Sequence, residues 1–433
     1  MLRRIRIRGY KSLEDVEVNL RALSVLIGPN AAGKSNFLDA LQLLSRVADR
    51  TLKEAFEPPY RGKPLESFSF GPGGVDSLLQ RESASFSIEA DVELSPNVVD
   101  AVNRQIRDMK RGKPAEDGGV PPSSGQAVVR EKYLRYRIEI EILPRIGILR
   151  VTDEYLAALT HNGDVTKKRK PFLERMGNRL HLRMEGQAHP TYYERFLDHS
   201  VLSLPHYPPH YPHLVAVRQE LSRYFFFYFE PRERMRAPNP VKEVRHIGLM
   251  GEELAAFLNT LKALDPAQFK AVEQSLRMLV PSVTGVDVEV NRLGEVDLYL
   301  REGDVRVPAR VVSEGTLRVL GLLALHGVKD APALVGFEEP ENGVHPRRVR
   351  MIAELLKTRT QTGQSQLIAT THSPILPDLL PNESLLVCRK EGGRTRIEPF
   401  ATWGSLGRKD DIDRALDEPL KPSERILRGD FDA

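Results

Sequence analysis

The sequence predicts an α/β protein whose core is built from both ends of the chain and interrupted by an inserted α+β lobe. Three observations carry that prediction. A short apolar run, Leu23–Ile27, stops at Gly28, and apolar residues then recur at helical spacing at Phe37, Leu38, Leu41, Leu44 and Val47. From Ser313 onward, helical and strand patterns alternate, which implies a mostly parallel sheet. The middle of the chain keeps neither rhythm for long.

The elements follow in order. Ile5 and Ile7 alternate with Arg4, Arg6 and Arg8, the pattern of a half-buried strand. Residues 51–74 read as loop, with Pro58-Pro59 and a Gly-rich end. Alternation returns over Ser85–Leu94 and Leu134–Ile142, predicting two strands. Between them, residues 110–127 carry no bulky apolar residue but one valine and read as a flexible loop. The aromatic run Tyr224–Phe229 reads as core strand or helix. Leu254, Phe257, Leu258 and Leu261 share a helical face, and Pro266 opens a second helix ending near Leu279. Strands are expected at 286–290 and 296–301, and a strand-like Arg310–Val312 precedes Ser313. Then come a helix over Leu317–His326, a strand Ala333–Phe337, a helix Arg347–Thr358, and strands Gln366–Thr371 and Leu385–Arg389.

Composition narrows the class. At about 150 residues per domain, 433 residues make roughly three domain-sized units. The single cysteine, Cys388, excludes an intrachain disulfide framework and a zinc–cysteine cluster. No apolar run is long enough to span a membrane, and the Arg-interrupted N-terminus does not read as a signal peptide. The expectation is a soluble cytoplasmic protein without a membrane partner. A net charge of +4 is mildly basic and discriminates little.

Gly28-Pro29-Asn30-Ala31-Ala32-Gly33-Lys34-Ser35 fits the pattern G-x-x-x-x-G-K-[ST], with a buried strand before it and a helix after it. Glycines let backbone N–H groups curl around phosphates, Lys34 meets the β/γ-phosphate charge, and the Ser35 hydroxyl suits Mg²⁺. The following helix, through Asn36, adds a favourable N-terminal dipole. A second strand, Ala333–Phe337, delivers Glu338, Glu339 and Glu341. Glu338 suits the metal, with its longer side chain reaching it through a water. Glu339 suits the polarisation of an attacking water. Ser313 and Gly315 open a helix, and two readings stand: a second anion site, or an N-cap paired with Thr316. His372, at the end of a buried strand, reads equally as a core histidine or a γ-phosphate contact.

The order of these motifs resembles the ABC-type ATPase heads of SMC, RecF and overcoming-lysogenization-defect (OLD) proteins. It is most like bacterial ATPases of the AAA family ATPase group without a toprim nuclease domain. I-R-G-Y-K-S-L, G-P-N-A-A-G-K-S-N-F-L-D-A-L, S-E-G-T-L-R, E-E-P-E-N-G-V-H-P and T-T-H-S-P carry the likeness, over about residues 1–50 and 308–390. The resemblance implies a P-loop NTPase fold, with an ABC-type head on a mixed sheet. Residues 1–100 and 311–400 are its two halves, 101–250 the inserted lobe, 251–310 a helical and strand segment, and 401–433 a tail. It implies ATP and Mg²⁺ as cofactors, Gly28–Ser35 as Walker A, and Glu338 and Glu339 as Walker B. It also makes Glu341–Gly343 the D-loop, His372 the switch histidine, and Ser313 and Gly315 the signature that meets nucleotide on a second copy. Gln80 is the candidate Q-loop glutamine. The implied activity is ATP hydrolysis in an ATP-dependent dimer, driving a conformational switch in DNA-related work. That work would be phage defence with a separately encoded toprim-like nuclease, or RecF-like repair on double-stranded DNA. A competing class is a non-catalytic scaffold that ATP glues together around an effector.

The remaining features read more plainly. The long span between Ser35 and Ser313 sets transporters aside, and the absence of a coiled-coil pattern sets SMC proteins aside. Asp411 and Asp413 read as a solvated acidic tail, not a nuclease site. His206, His210 and His213 are separated by prolines and read as a surface segment before a metal site. Lys167–Lys170 reads as a solvated basic loop. The Arg3, Arg4, Arg6 and Arg8 row either lines a DNA groove or faces water.

Overall fold

The structure, a computed structural model, describes every residue except 72, 112–127, 186–189, 195, 326–330, 362, 364, 404–420 and 432–433. The loop expected at 110–127 lies outside the described residues, apart from 110 and 111, which end the helix Pro96–Arg111. The acidic tail at Asp411–Asp413 and the end of the expected helix at His326 lie outside them too.

The chain divides into two compact units. The first comprises Met1–Arg21, Asp39–Tyr224 and Glu391–Arg396. Its frame is an eight-stranded sheet in the order Leu13–Asn19, Leu2–Tyr10, Ala84–Glu93, Tyr133–Leu143, Ile148–Ala158, Leu173–Met176, Arg179–Leu182, Thr191–Glu194. Every neighbouring pair is antiparallel. Period-two patterning decides which face is buried: Leu134, Tyr136, Ile138, Ile140 and Ile142 are all inside.

The opposite face carries the arginine row, and cross-strand register neutralises it. Arg6 lies opposite Glu17 on one side and Glu89 on the other, and Asp91 lies opposite Arg135. Arg4 donates to Glu17 at 2.7 Å and to Glu89 at 2.8 Å, and Arg6 makes two 3.1 Å bonds to Asp15. Arg8 reaches Asp15 at 3.4 Å, and Arg135 grips Asp91 at 2.6 and 2.7 Å. A register shift between Leu2 and Arg4 brings out Arg3, which pairs with Glu93. The row is therefore half of an ion-pair lattice.

Two buried polar centres anchor this unit. Glu154 is fully buried and accepts from the Tyr136 hydroxyl (2.8 Å), the Ser200 hydroxyl (2.6 Å) and the Val201 and Leu202 N–H groups (2.7 and 3.2 Å). Burial raises its pKa above the ordinary carboxyl value. His213, also fully buried, shares a 2.7 Å hydrogen bond with Glu185 through Nδ1. Its Nε2 accepts from the Arg130 and Glu131 N–H groups at 3.2 and 3.0 Å.

The second unit comprises Ala22–Leu38, Phe225–Lys390 and Ile397–Ala433. At its centre four strands run parallel in the order Leu334–Glu338, Gln366–Thr371, Leu23–Ile27, Leu385–Glu391. Leu23–Ile27 and Gln366–Thr371 are buried at every position, as expected of parallel strands covered on both faces. The aromatic run forms the strand Tyr224–Phe227, with Phe226 and Phe227 buried. The face of Leu254, Phe257, Leu258 and Leu261 lies on the helix Leu254–Leu264, and the helix Pro266–Leu279 begins and ends where the sequence places it; Asp265 caps the second by accepting from the Gln268 N–H at 3.0 Å. A smaller antiparallel sheet holds Gly285–Val290, Glu295–Glu302 and Val305–Pro308.

One element differs from expectation. Arg310–Val312, read as strand-like, is the end of a single 3₁₀ turn over Ala309–Val311 followed by an extended Val312. Pro308 closes the preceding strand, and the Val312 N–H turns back to the Ala309 carbonyl at 3.2 Å. Other elements escape the sequence reading, among them the helices Pro96–Arg111 and Pro212–Leu221 and the strand Ile148–Ala158. Thr51 and Glu54 form a capping box inside the stretch read as loop.

Candidate nucleotide site

Parallel strands bring their C-terminal ends to one edge of the sheet, where crevices suited to ligands form. In register, Glu338 lies beside Thr370, and Thr371 beside Ile27. The loops that leave these strands, from Gly28, Glu339 and His372, therefore emerge side by side, although Gly28 lies hundreds of residues before the other two.

The Gly28 loop is bent by backbone geometry that its residue types permit. Gly28 has φ +148° and Gly33 φ +104°. A Cβ on Gly28 would lie 2.0 Å from the Cys388 carbonyl oxygen, so glycine is required there. Ala31 is left-handed at φ +63°; Pro29, Asn30 and Ala31 reach the surface, while Ala32 is buried. Helix Lys34–Val47 starts directly behind, with Ser35 and Asn36 in its first turn. Lys34 is only 6% exposed, and its Nζ donates to the Gly28 and Pro29 carbonyls at 2.8 Å each. Burial lowers its pKa, with the nearby carboxylates opposing. The Cys388 thiol, donating to the Ala32 carbonyl, is pushed up to about 12 by burial.

The acidic strand end meets this loop. The Ser35 hydroxyl donates to Glu338 Oε1. Glu339 sits at φ +51°, a left-handed conformation that is costly for a residue with a Cβ, and its N–H donates to the Thr370 carbonyl at 2.9 Å. Its carboxylate shares a 2.7 Å hydrogen bond with His372 Nδ1 and accepts from Asn342 Nδ2 at 3.4 Å. His372 is about half exposed, with a side-chain accessibility of 47%. Of its two readings, the core histidine is set aside.

Ser313 caps the helix Glu314–Ala324, accepting from the Thr316 N–H at 3.2 Å. The cap is thus present. Gly315 packs against the turn after the acidic strand: an added Cβ would lie 2.4 Å from the Gly343 carbonyl. Arg318, on the same helix, comes close to Gly343 as well. Lys34, Ser35, Glu338, Glu339 and His372 thus converge within the second unit. Gln80 follows the helix Gly74–Leu79 of the first unit and is exposed.

The three histidines of the proline-rich segment have separate partners. His213 engages Glu185, His206 Nε2 lies 2.6 Å from the Val201 carbonyl, and His210 packs against Tyr207 and Tyr211. Sequence reasoning missed Thr371 and the backbone of Cys388. Thr371 carried a signal, as a short hydroxyl residue directly before His372. Cys388 carried none, because only strand pairing brings it beneath Gly28.

The donor set suits Mg·ATP. A hydroxyl and a carboxylate already in contact, Ser35 and Glu338, are hard oxygen ligands of the kind Mg²⁺ takes. The glycine cradle and the buried lysine suit phosphate. These features suit a P-loop nucleotide site on an α/β sheet.

Comparison with known proteins specifies the class. Residues 195–378 match the family "AAA domain, putative AbiEii toxin, Type IV TA system", and residues 1–108 match the family "AAA ATPase domain". An OLD nuclease from Thermus scotoductus is 22% identical over 402 residues, which are 90% of this chain and 62% of that protein. The chain thus spans less than two thirds of that relative. The crystal structure of the SmcHead bound to the C-winged helix domain of ScpA shares the fold, at a TM-score of 0.50 and 12% identity, covering 92% of this chain and 97% of that one. The chain thus has the P-loop α/β fold of the SMC heads and is similar, over parts of its length, to AAA ATPase domains and to an OLD nuclease. Among the described residues no helix is long and apolar enough to cross a membrane.

Proposed function

We propose that this chain binds Mg·ATP at the Gly28–Ser35 loop, hydrolyses it between two copies, and uses the cycle as a conformational switch. The observation that carries this reading is the convergence of Lys34, Ser35, Glu338, Glu339 and His372 at one sheet edge. Lys34 exchanges its two carbonyl partners for phosphate oxygens. Ser35 and, through a water, Glu338 would hold a Mg²⁺ ion, which would supply positive charge to the phosphates. Glu339 orients the attacking water and takes its proton, and His372 presents its free Nε2 to the γ-phosphate. Ser313 and Gly315, at an exposed helix start, serve the nucleotide of the second copy. The output we propose is DNA-related work, phage defence with a separately encoded nuclease before repair. The likeness to an OLD nuclease supports it. The paired arginine lattice is not the DNA surface in this reading.

The test is the ATP hydrolysis rate per chain against protein concentration, with and without double-stranded DNA, for wild type and Glu339→Gln. The expected result is a rate that rises with concentration and falls at least about 100-fold in the variant, which still binds ATP. A rate independent of concentration, in a chain whose mass stays monomeric, overturns the two-copy site. ATP-dependent assembly without turnover would favour the scaffold instead.

A further inference from the structure

The acidic turn holds one carboxylate that the proposed chemistry does not use. Glu341 is 6% exposed, and no lysine, arginine or histidine pairs with it among the described residues. One carboxylate oxygen accepts from the Thr371 hydroxyl, and the other has no hydrogen-bond partner. A buried carboxylate without an ion-pair partner is costly, and burial raises the Glu341 pKa, with the Thr371 hydrogen bond and the nearby His372 opposing.

Thr371 makes the cost intelligible. It is fully buried at the end of its strand, and its hydroxyl also accepts from the Ser373 N–H at 2.9 Å. A hydroxyl can donate once and accept at the same time, so the chain Ser373 N–H, Thr371 O–H, Glu341 carboxyl runs in one direction. These bonds clamp the residues on both sides of His372. The far end of the clamp lies two residues beyond Glu339, whose carboxylate receives the His372 ring.

We propose that Glu341 and Thr371 are positioning residues: their buried hydrogen bond sets the His372 ring against Glu339 and so aligns the histidine with the water-activating carboxylate. This rests on the ATPase reading above. The pair touches neither nucleotide nor metal in that reading. It ties the loop after the acidic strand to the loop after the neighbouring strand, so the two cannot drift independently.

The experiment compares wild type, Thr371→Val, Thr371→Ser, Glu341→Ala and the double variant Glu341→Ala/Thr371→Val. Thr371→Val keeps the shape and removes the hydroxyl. Misplacing a reacting group by about 1 Å costs up to about 100-fold, so kcat should fall about tenfold or more. Affinity for Mg·ATP, read with a fluorescent ATP analogue, should stay within about twofold. Thr371→Ser should restore the rate, and the double variant should be no slower than the slower single. In parallel, NMR follows the chemical shifts of the His372 ring in the nucleotide-free chain. They should change in Thr371→Val, as the ring leaves Glu339, and return in Thr371→Ser. That readout needs no turnover, so it separates failure of this proposal from failure of the ATPase reading. Unchanged His372 ring shifts overturn the proposal. So does a kcat loss matched by an equal loss of ATP affinity and not rescued by serine.

Discussion

The two units treat charge in opposite ways. On the exposed face of the eight-stranded sheet, Arg4, Arg6, Arg8, Arg135 and Arg137 each meet at least one carboxylate. At the edge of the parallel sheet, charge is left under-compensated. Lys34 rests on neutral carbonyls, Glu341 keeps one oxygen unpartnered, and Arg318 Nε is buried without an acceptor. Burial lowers the Arg318 pKa, just as it lowers that of Lys34. A lattice of matched pairs is finished chemistry, screened by salt and close to neutral in stability. A site with unmatched, desolvated groups is set up to gain from a ligand that brings the missing charge. The contrast therefore sets a charge-matched surface against the proposed nucleotide site.

Three substitutions test that contrast. The largest effect belongs to Lys34→Ala. Removing the one buried cation of the phosphate loop should weaken Mg·ATP binding by about 100-fold or more, read by equilibrium titration with a fluorescent ATP analogue. Binding left intact would mean that the loop backbone alone carries the phosphate.

Glu154→Gln should have an intermediate effect, on stability. Burial raises the Glu154 pKa in the folded chain. The stability it contributes is therefore fully present below the ordinary carboxyl value and is lost as pH rises through the raised one. Urea unfolding between pH 5 and 8 should show wild type losing ground to Glu154→Gln as pH rises, by about 1–3 kcal/mol. A pH-independent difference between the two would show that Glu154 stays ionised in its network.

The smallest effect is expected for Arg6→Ala. Its partners Asp15 and Glu17 are about half exposed, so unfolding free energy should change by at most about 0.5 kcal/mol, less still at high salt. DNA affinity in a filter or anisotropy assay should not change. A marked loss of DNA binding would make the lattice face functional and erase the contrast.

Much of the second unit was legible because its signals are local. An apolar strand ending in Gly28, a lysine and serine at a helix start, and glutamates at a strand end are written in contiguous residues. The helix Leu254–Leu264 likewise shows its period, and Pro266 marks the start of the helix Pro266–Leu279. The first unit was harder. Its short strands Leu173–Met176, Arg179–Leu182 and Thr191–Glu194 hold too few residues for a period to emerge. The helix Pro96–Arg111 did carry a helical signal, with Val98, Val99, Val102 and Ile106 on one face, which the sequence reading passed over.

By itself the sequence determined which residue types stand ready for phosphate and metal, because glycine, lysine, hydroxyl and carboxylate chemistry is intrinsic to each side chain. It could not decide what the arginine row does, since strand register alone places Glu17, Glu89 and Asp91 opposite those guanidiniums. Nor could it show that Gly28 must clear the Cys388 carbonyl or that Thr371 holds Glu341. Those contacts join residues far apart in the chain. Only the pairing of parallel strands, which aligns their ends to within a residue, brings such groups into hydrogen-bonding range.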